Sequence, residues 1–147
     1  MVRLGEPSLT TAAPPLSDED RDVLIRTVYG EARGEPEEGQ IAVVHVIRNR
    51  ALRRGTCAAA ECRRPWQFSC WNADDLNCST LRDLPPDRQG YRKIAAVVEK
   101  AWGMPDTTGG ATHYYAPIGM HGRVPSWAVG ATETARIGRH IFFKEVA

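Results

Sequence analysis

The sequence predicts an α+β domain, mostly helical, with a small β element at its C-terminal end. Three observations predict it. Apolar residues recur at helical spacing through most of the first 102 residues. A Gly109-Gly110 pair then ends that pattern. After it come short aromatic and β-branched runs around Tyr114-Tyr115 and Ile141-Phe142-Phe143.

The first helix begins at Ser17. Asp20 stands three residues on, in the place of the reciprocal capping residue. Val23, Leu24, Thr27 and Val28 form its inner stripe, and Gly30 and Gly34 loosen and end it after Tyr29. The second helix opens at Pro36, with Glu37 and Glu38 in its first turn, and runs to about Arg54. Ile41, Ala42, Val44, Val46 and Ile47 make it apolar on most sides, so it is expected to be central, with His45 as a packed core residue. Arg48, Asn49, Arg50, Arg53 and Arg54 suit a helix C-terminus and need no partner to explain them. Residues 55–86 read as a long irregular stretch, and a loop of that length in a compact domain is usually functional. A third helix is expected from Asp87 to Trp102, turning Tyr91, Ile94, Ala95, Val98, Ala101 and Trp102 inward. Two strands follow, Ala111 to Pro117 and Ile137 to Lys144, separated by a Gly/Pro-containing turn region that holds His121, Pro125, Ser126 and Trp127.

A chain of 147 residues, 42% hydrophobic and 25% charged, suits one domain. We expect residues 1–16 to be a loosely ordered or wrapping lead-in and 17–147 to be the functional unit. The net charge of +1 supplies no bulk drive toward nucleic acid or membrane. No apolar run reaches the length of a bilayer span, so stable membrane insertion is not expected. The N-terminus has no apolar h-region and does not read as a secretion signal. No cofactor or metal is expected, and the protein is expected to be a monomer.

Cys57, Cys62, Cys70 and Cys78 lie within 22 residues, at spacings of four, seven and seven. Zinc sites usually use closer pairs, which favours two disulfides over a metal site. Of the three pairings, a nested one is preferred: Cys62 with Cys70 and Cys57 with Cys78.

The candidate for chemistry is Glu31. It stands where the first helix ends, in Tyr29-Gly30-Glu31-Ala32-Arg33-Gly34-Glu35-Pro36. The negative end of the helix dipole disfavours ionisation there, which is the bias a general acid needs. A solvated surface glutamate is the competing reading. Glu35 reads as a structural residue near the start of the second helix, holding free backbone N–H groups. Gln67, Phe68, Ser69 and Trp71 on the long loop, and Tyr114, Tyr115 and Trp127 on the β side, mix flat apolar faces with hydrogen-bonding groups suited to sugars. Core packing is the expectation for Phe68 and Trp102. For Tyr114 and Trp127 packing and binding stand level, and His140 is expected only to pack.

The run GEARGEPEEGQIAVVHVIRNR, then PWQFSCWN, DTTGGATHYYAP, and PSWA followed by IGRHIFFK resembles, in order and spacing, the SleB/CwlJ family of cell-wall hydrolases. The resemblance covers about residues 20–144. It implies a lysozyme-like, lytic transglycosylase-like fold and cleavage of the β-1,4 glycan strand of peptidoglycan, between N-acetylmuramic acid and N-acetylglucosamine. It puts the family's catalytic acid at Glu31 and places Gln67, Ser69 and Tyr115 near it. The cysteines are not needed by that chemistry. The cysteine-bearing QFSCWN form looks closer to those of Gram-negative bacteria and their phages. An endolysin made in the cytoplasm and acting in the periplasm or at the cell wall is therefore the expectation. Glycoside cleavage commonly uses two carboxylates, and no partner to Glu31 is evident, since Asp74 and Asp75 read as loop residues. That favours a single-acid transglycosylase over hydrolysis by water. The rivals are a zinc peptidase using His113, His121 and His140, and a non-catalytic glycan-binding module of a phage particle.

Overall fold

In the computed structural model, residues 13–64, 68, 71 and 78–147 are described. The elements run α1 (Asp18–Ala32), α2 (Glu37–Arg54), α3 (Ala58–Cys62), α4 (Cys78–Arg82), α5 (Gln89–Trp102), β1 (His113–Tyr115), β2 (Thr132–Ile137) and β3 (His140–Lys144). The mostly helical α+β architecture is as expected.

Helix α1 starts where the capping signal places it. Ser17 Oγ accepts from Asp20 N–H at 3.0 Å and the Asp20 carboxylate accepts from Ser17 N–H, closing a capping box. Val23, Leu24, Thr27 and Val28 are all buried. The helix passes the glycine at position 30 and continues to Ala32, so Glu31 lies inside its last turn. Helix α2 is buried along most of its length, as expected of a central helix, and ends on Gly55 in the left-handed conformation. Helices α1, α2 and α5 close one apolar core around Leu24, Val28, Val44, Ile47, Ile94 and Val98.

The stretch expected to be irregular contains the short helices α3 and α4. Each is a single turn or so, too short for a periodic signal. Two buried arginines hold helix ends by donating to backbone carbonyls. Arg26 reaches Leu81 and Leu84 at 2.7 Å each, and Arg48 reaches Trp102 and Met104 at 2.7 Å each. His45 is fully buried, accepting from Thr107 N–H at Nδ1 and donating from Nε2 to Ala101 O at 2.8 Å. Burial pushes its pKa below the ordinary imidazole value. It is the packed core histidine anticipated.

The sheet is antiparallel in the order β1-β3-β2. Strand β2 falls in the region expected to be turn. It carries Thr132, Glu133, Thr134 and Arg136, a polar edge strand with one bulge between Glu133 and Ala135. That polarity hid it. The second predicted strand, Ile137 to Lys144, is in fact the end of β2, a turn, and β3. Successive β1 side chains point to opposite faces. Tyr114 and Phe142 turn toward the helices, where Phe142 packs with Ala42, Val46 and Ala111. His113, Tyr115 and Phe143 turn the other way, against Trp127.

Cys57, Cys62 and Cys78 carry free thiols. The preferred Cys57–Cys78 bridge is therefore absent, and Cys62 is not bridged either; Cys70 lies outside the described residues. Cys62 is fully enclosed in the helical core, where burial pushes its thiol up to about 12. Cys57 is exposed at the start of α3. Of the lead-in, residues 1–12 lie outside the described residues. Pro14 to Leu16 lie on the domain, with Trp102 Nε1 donating to Pro14 O at 2.9 Å and Leu16 packed on the core. Among the described residues no helix is long and apolar enough to cross a membrane.

Candidate active site

Glu31 reaches the sheet because α1 ends against it. Tyr114, on the helix-facing side of β1, donates its hydroxyl to Glu31 Oε1 at 3.0 Å. The loop before β1 is tied down by Asp106, which accepts from Thr108 N–H and Gly110 N–H at 2.8 and 2.7 Å. Burial alone would raise the Asp106 pKa, but these bonds, with those from the Thr108 hydroxyl and Asn49, hold it below the usual carboxylate range. Asn49 also donates to Ala111 O at 2.9 Å, so the end of α2 fixes where β1 begins.

Glu31 opens into a cleft of about 310 Å³ lined also by Arg50, Phe68, His113, Tyr114, Trp127 and the C-terminal Val146 and Ala147. The Arg50 guanidinium lies over the Phe68 ring, 5.5 Å from its centroid. His113 and Trp127 pack as a tilted pair, 5.1 Å between ring centroids. Burial first, then the charges of Arg50, Arg54 and Arg53, push the His113 pKa down to about 4. The imidazole is therefore neutral near pH 7, able to accept or donate a hydrogen bond in the cleft.

Glu35 plays a different part from the one expected. It does not bond the N–H groups of its own helix; Pro36 is the N-cap of α2, without a side-chain cap. Its carboxylate crosses to the β2–β3 turn, accepting from Arg139 N–H at 3.0 Å, with Arg139 Nε at 3.8 Å and His140 Nδ1 at 3.9 Å. Gly138, at φ +59°, allows this approach, because a Cβ there would collide with Glu35 Oε1. The signal for this role lay in the glycine of the turn, not in the helix start. His140 packs on Tyr114 and Phe142 at 4.7 and 6.1 Å. Burial pushes its pKa down against the pull of Glu35.

The predicted binding residues separate into groups. Tyr114 and Trp127 line the cleft with Glu31. Tyr115 stacks on Phe143 at 5.8 Å and meets Trp127 edge-on, forming the wall behind it. Trp71 donates its indole N–H to Thr27 Oγ1 at 2.7 Å, one helical turn before Glu31. Gln67 and Ser69 lie outside the described residues, as do Asp74 and Asp75. Phe68 is 2% exposed and packs in the core as expected, yet its ring also borders the cleft. Arg50, expected only as a helix-end charge, and His113, expected only in the rival zinc site, both border the cleft. Arg50 falls three residues after Ile47 on the buried face of α2, and His113 alternates with Tyr115 on β1; those spacings were the available signals. Of the histidines named for a zinc site, His113 lies in the cleft while His140 packs on the other face of the sheet. Among the described residues no cluster of three or more metal-ligating side chains forms.

Residues 34–143 match a family described as Cell Wall Hydrolase. The chain is 35% identical over 130 residues to a spore cortex-lytic enzyme of Halalkalibacterium halodurans, covering 86% of this chain and 35% of that protein. A spore cortex-lytic enzyme of Oceanobacillus iheyensis is 31% identical over 131 residues, covering 87% and 42%. The chain thus spans less than half the length of these curated relatives. Two solved structures are similar, each at 28% identity and with 96% of its own chain covered. The catalytic domain of the germination-specific lytic transglycosylase SleB from Bacillus anthracis superposes with a TM-score of 0.69 over 87% of this chain. The catalytic domain of the Bacillus cereus SleB protein gives 0.71 over 91%. The lysozyme-like fold expected from the motifs is the fold these catalytic domains share.

Proposed function

This chain belongs to the cell wall hydrolase family, and we propose that it cleaves the peptidoglycan glycan strand as a lytic transglycosylase, with Glu31 as acid and then base. The bond cut is the β-1,4 link between N-acetylmuramic acid and N-acetylglucosamine. The observation that carries this reading is the Glu31 carboxyl in the wall of a cleft, oriented by the Tyr114 hydroxyl at 3.0 Å. The solved neighbour described as a lytic transglycosylase supports the reaction class.

The protonated Glu31 hands its hydrogen to the glycosidic oxygen as the bond to the muramic C1 breaks. The C6 hydroxyl oxygen of the same sugar then bonds to C1, and its proton returns to the Glu31 carboxylate. One carboxyl group completes the cycle, and the product carries a 1,6-anhydro ring. Glu35, the nearest carboxylate in sequence, is engaged by the β2–β3 turn, which favours a one-acid route over a pair of acids. Trp127 offers a ring face to a pyranose, with Tyr115 behind it. We assign Gln67 and Ser69 to substrate binding from the motif they belong to. Trp71 would contribute through its ring face, since its N–H is committed to Thr27. The place of action is the cell wall, where the strand is.

Digestion of purified peptidoglycan by the wild-type protein and by Glu31→Gln, with mass spectrometry of the new sugar ends, tests this. Anhydro-muramic ends from the wild type alone sustain the reading. Reducing ends would assign the cleavage to water, and no new ends at all would leave a glycan-binding module.

A further inference from the structure

A second concavity, of about 370 Å³, shares Arg50, His113 and the C-terminal Val146 and Ala147 with the lining of the Glu31 cleft. Arg53, Arg54 and Thr112 complete its polar lining. We propose that this arginine-lined chamber receives the carboxylate of the muramyl side chain, whether the lactyl carboxylate itself or a carboxylate of the peptide attached to it. The inference rests on the glycan-cleaving reading above and adds a specificity site to it.

The charge balance of the chamber points to an anion. One buried carboxylate, Glu61, stands behind it, with Arg50 Nε at 3.6 Å, Arg54 Nε at 3.3 Å and Arg64 Nε at 3.7 Å. Three guanidinium groups thus share this one buried side-chain carboxylate, and Ala147 at the end of the chain lies on the rim of the same hollow. Arg53 adds a fourth positive charge, exposed and without an ion pair among the described residues. Basic residues in the last turn of α2 complement the helix dipole wherever they point. That accounts for their sign, but not for their gathering in a concavity that shares its walls with the cleft. The positive field is felt by a neutral neighbour too, since the three arginines of the chamber help suppress protonation of His113. Thr112, whose hydroxyl lies 3.0 Å from His113 Nδ1, places a second polar group on the same wall.

The chemistry of the substrate fits this layout. The lactyl ether of muramic acid branches from the ring next to the bond being cut. A sugar seated beside Glu31 therefore sends that branch sideways by a few bond lengths. A guanidinium is well matched to a carboxylate there, because its planar donors bind both oxygens. Neutral N-acetylglucosamine carries no carboxylate to pair with the arginines there.

Titration calorimetry with three soluble ligands tests the proposal without requiring turnover. They are N,N′-diacetylchitobiose, which is neutral, the N-acetylglucosaminyl-N-acetylmuramic acid disaccharide with a free lactyl carboxylate, and the same disaccharide bearing a tetrapeptide. At low ionic strength the carboxylate ligands should bind about fivefold more tightly than the neutral one, and salt should erode the difference. Arg53→Ala should remove most of that preference and leave chitobiose binding unchanged, while Arg53→Lys retains part of it. A preference for both acidic ligands identifies the lactyl carboxylate, and a preference for the tetrapeptide form alone identifies the peptide. Equal binding of all three, or a preference untouched by Arg53→Ala, overturns the proposal. Failure of the cleavage reading would instead show as the absence of new sugar ends in the digest.

Discussion

Glu31 and Glu35, four residues apart, hold the same sheet at two of its parts. Glu31 takes the Tyr114 hydroxyl from β1, and Glu35 takes the Arg139 N–H at the entrance to β3. Between those two anchors Tyr114 and His140 pack as a tilted ring pair at 4.7 Å. The short segment joining α1 to α2 thereby sets where the sheet lies relative to the cleft.

Glu31→Gln should keep the fold and lose wall lysis by about two to four orders of magnitude, the span that general acid–base groups supply. Circular dichroism melts should overlay those of the wild type while turbidity clearance stops. Clearance at the wild-type rate would remove Glu31 from the chemistry.

Tyr114→Phe deletes a hydroxyl that bonds Glu31 while preserving the ring contacts with His140 and Phe142. Hydrogen bonds to a charged group contribute about 1.5–3 kcal/mol, so kcat should fall about tenfold or more, with KM changed less. A variant with unaltered kcat would show that the carboxyl is positioned by other contacts.

Gly138→Ala should destabilise the fold by about 1–3 kcal/mol, through both the positive φ and the collision with Glu35. Glu35→Ala should destabilise by a similar amount through loss of the tie to Arg139 N–H. The double variant should lose less than the sum, because each change removes what the other strains. Strict additivity in urea melts would mean that the two positions do not meet.

His113 should titrate with a midpoint of about 4 in its ring proton shifts, against 6.5 for an ordinary imidazole. Its folded pKa lies below its unfolded one, so the unfolded chain takes up the proton first. The stability this group contributes is complete above about pH 6.5 and is lost as the pH falls toward 4. A ring titrating near 6.5 in the native protein would contradict the positive, buried setting of the cleft.

Thiol labelling of the native, unreduced protein should modify Cys57 readily and Cys62 only after unfolding, following exposure and the raised Cys62 pKa. Protection of Cys57 until a reductant is added would restore the disulfide that the free thiols exclude.

Much of this was legible in the chain. Ser17 and Asp20 announced the start of α1, the apolar stripe of α2 announced a central helix, and the position of Glu31 beside a helix end marked it as a candidate. What escaped was non-local. The destination of the Glu35 carboxylate depends on Gly138, more than a hundred residues away, and nothing in the spacing of GEARGE carries it. Strand β2 escaped because an edge strand need not be apolar, and α3 and α4 because one turn of helix leaves no period to read.

Glu61 has a consequence for anyone altering this scaffold. It is fully enclosed and lines neither hollow, yet it neutralises the arginine that borders both. Removing it would strand a cation and cost about 3–5 kcal/mol. A survey of variants scored only by clearing zones would therefore mark position 61 as if it met the substrate. Separating the two meanings takes a measure of folded protein alongside every halo.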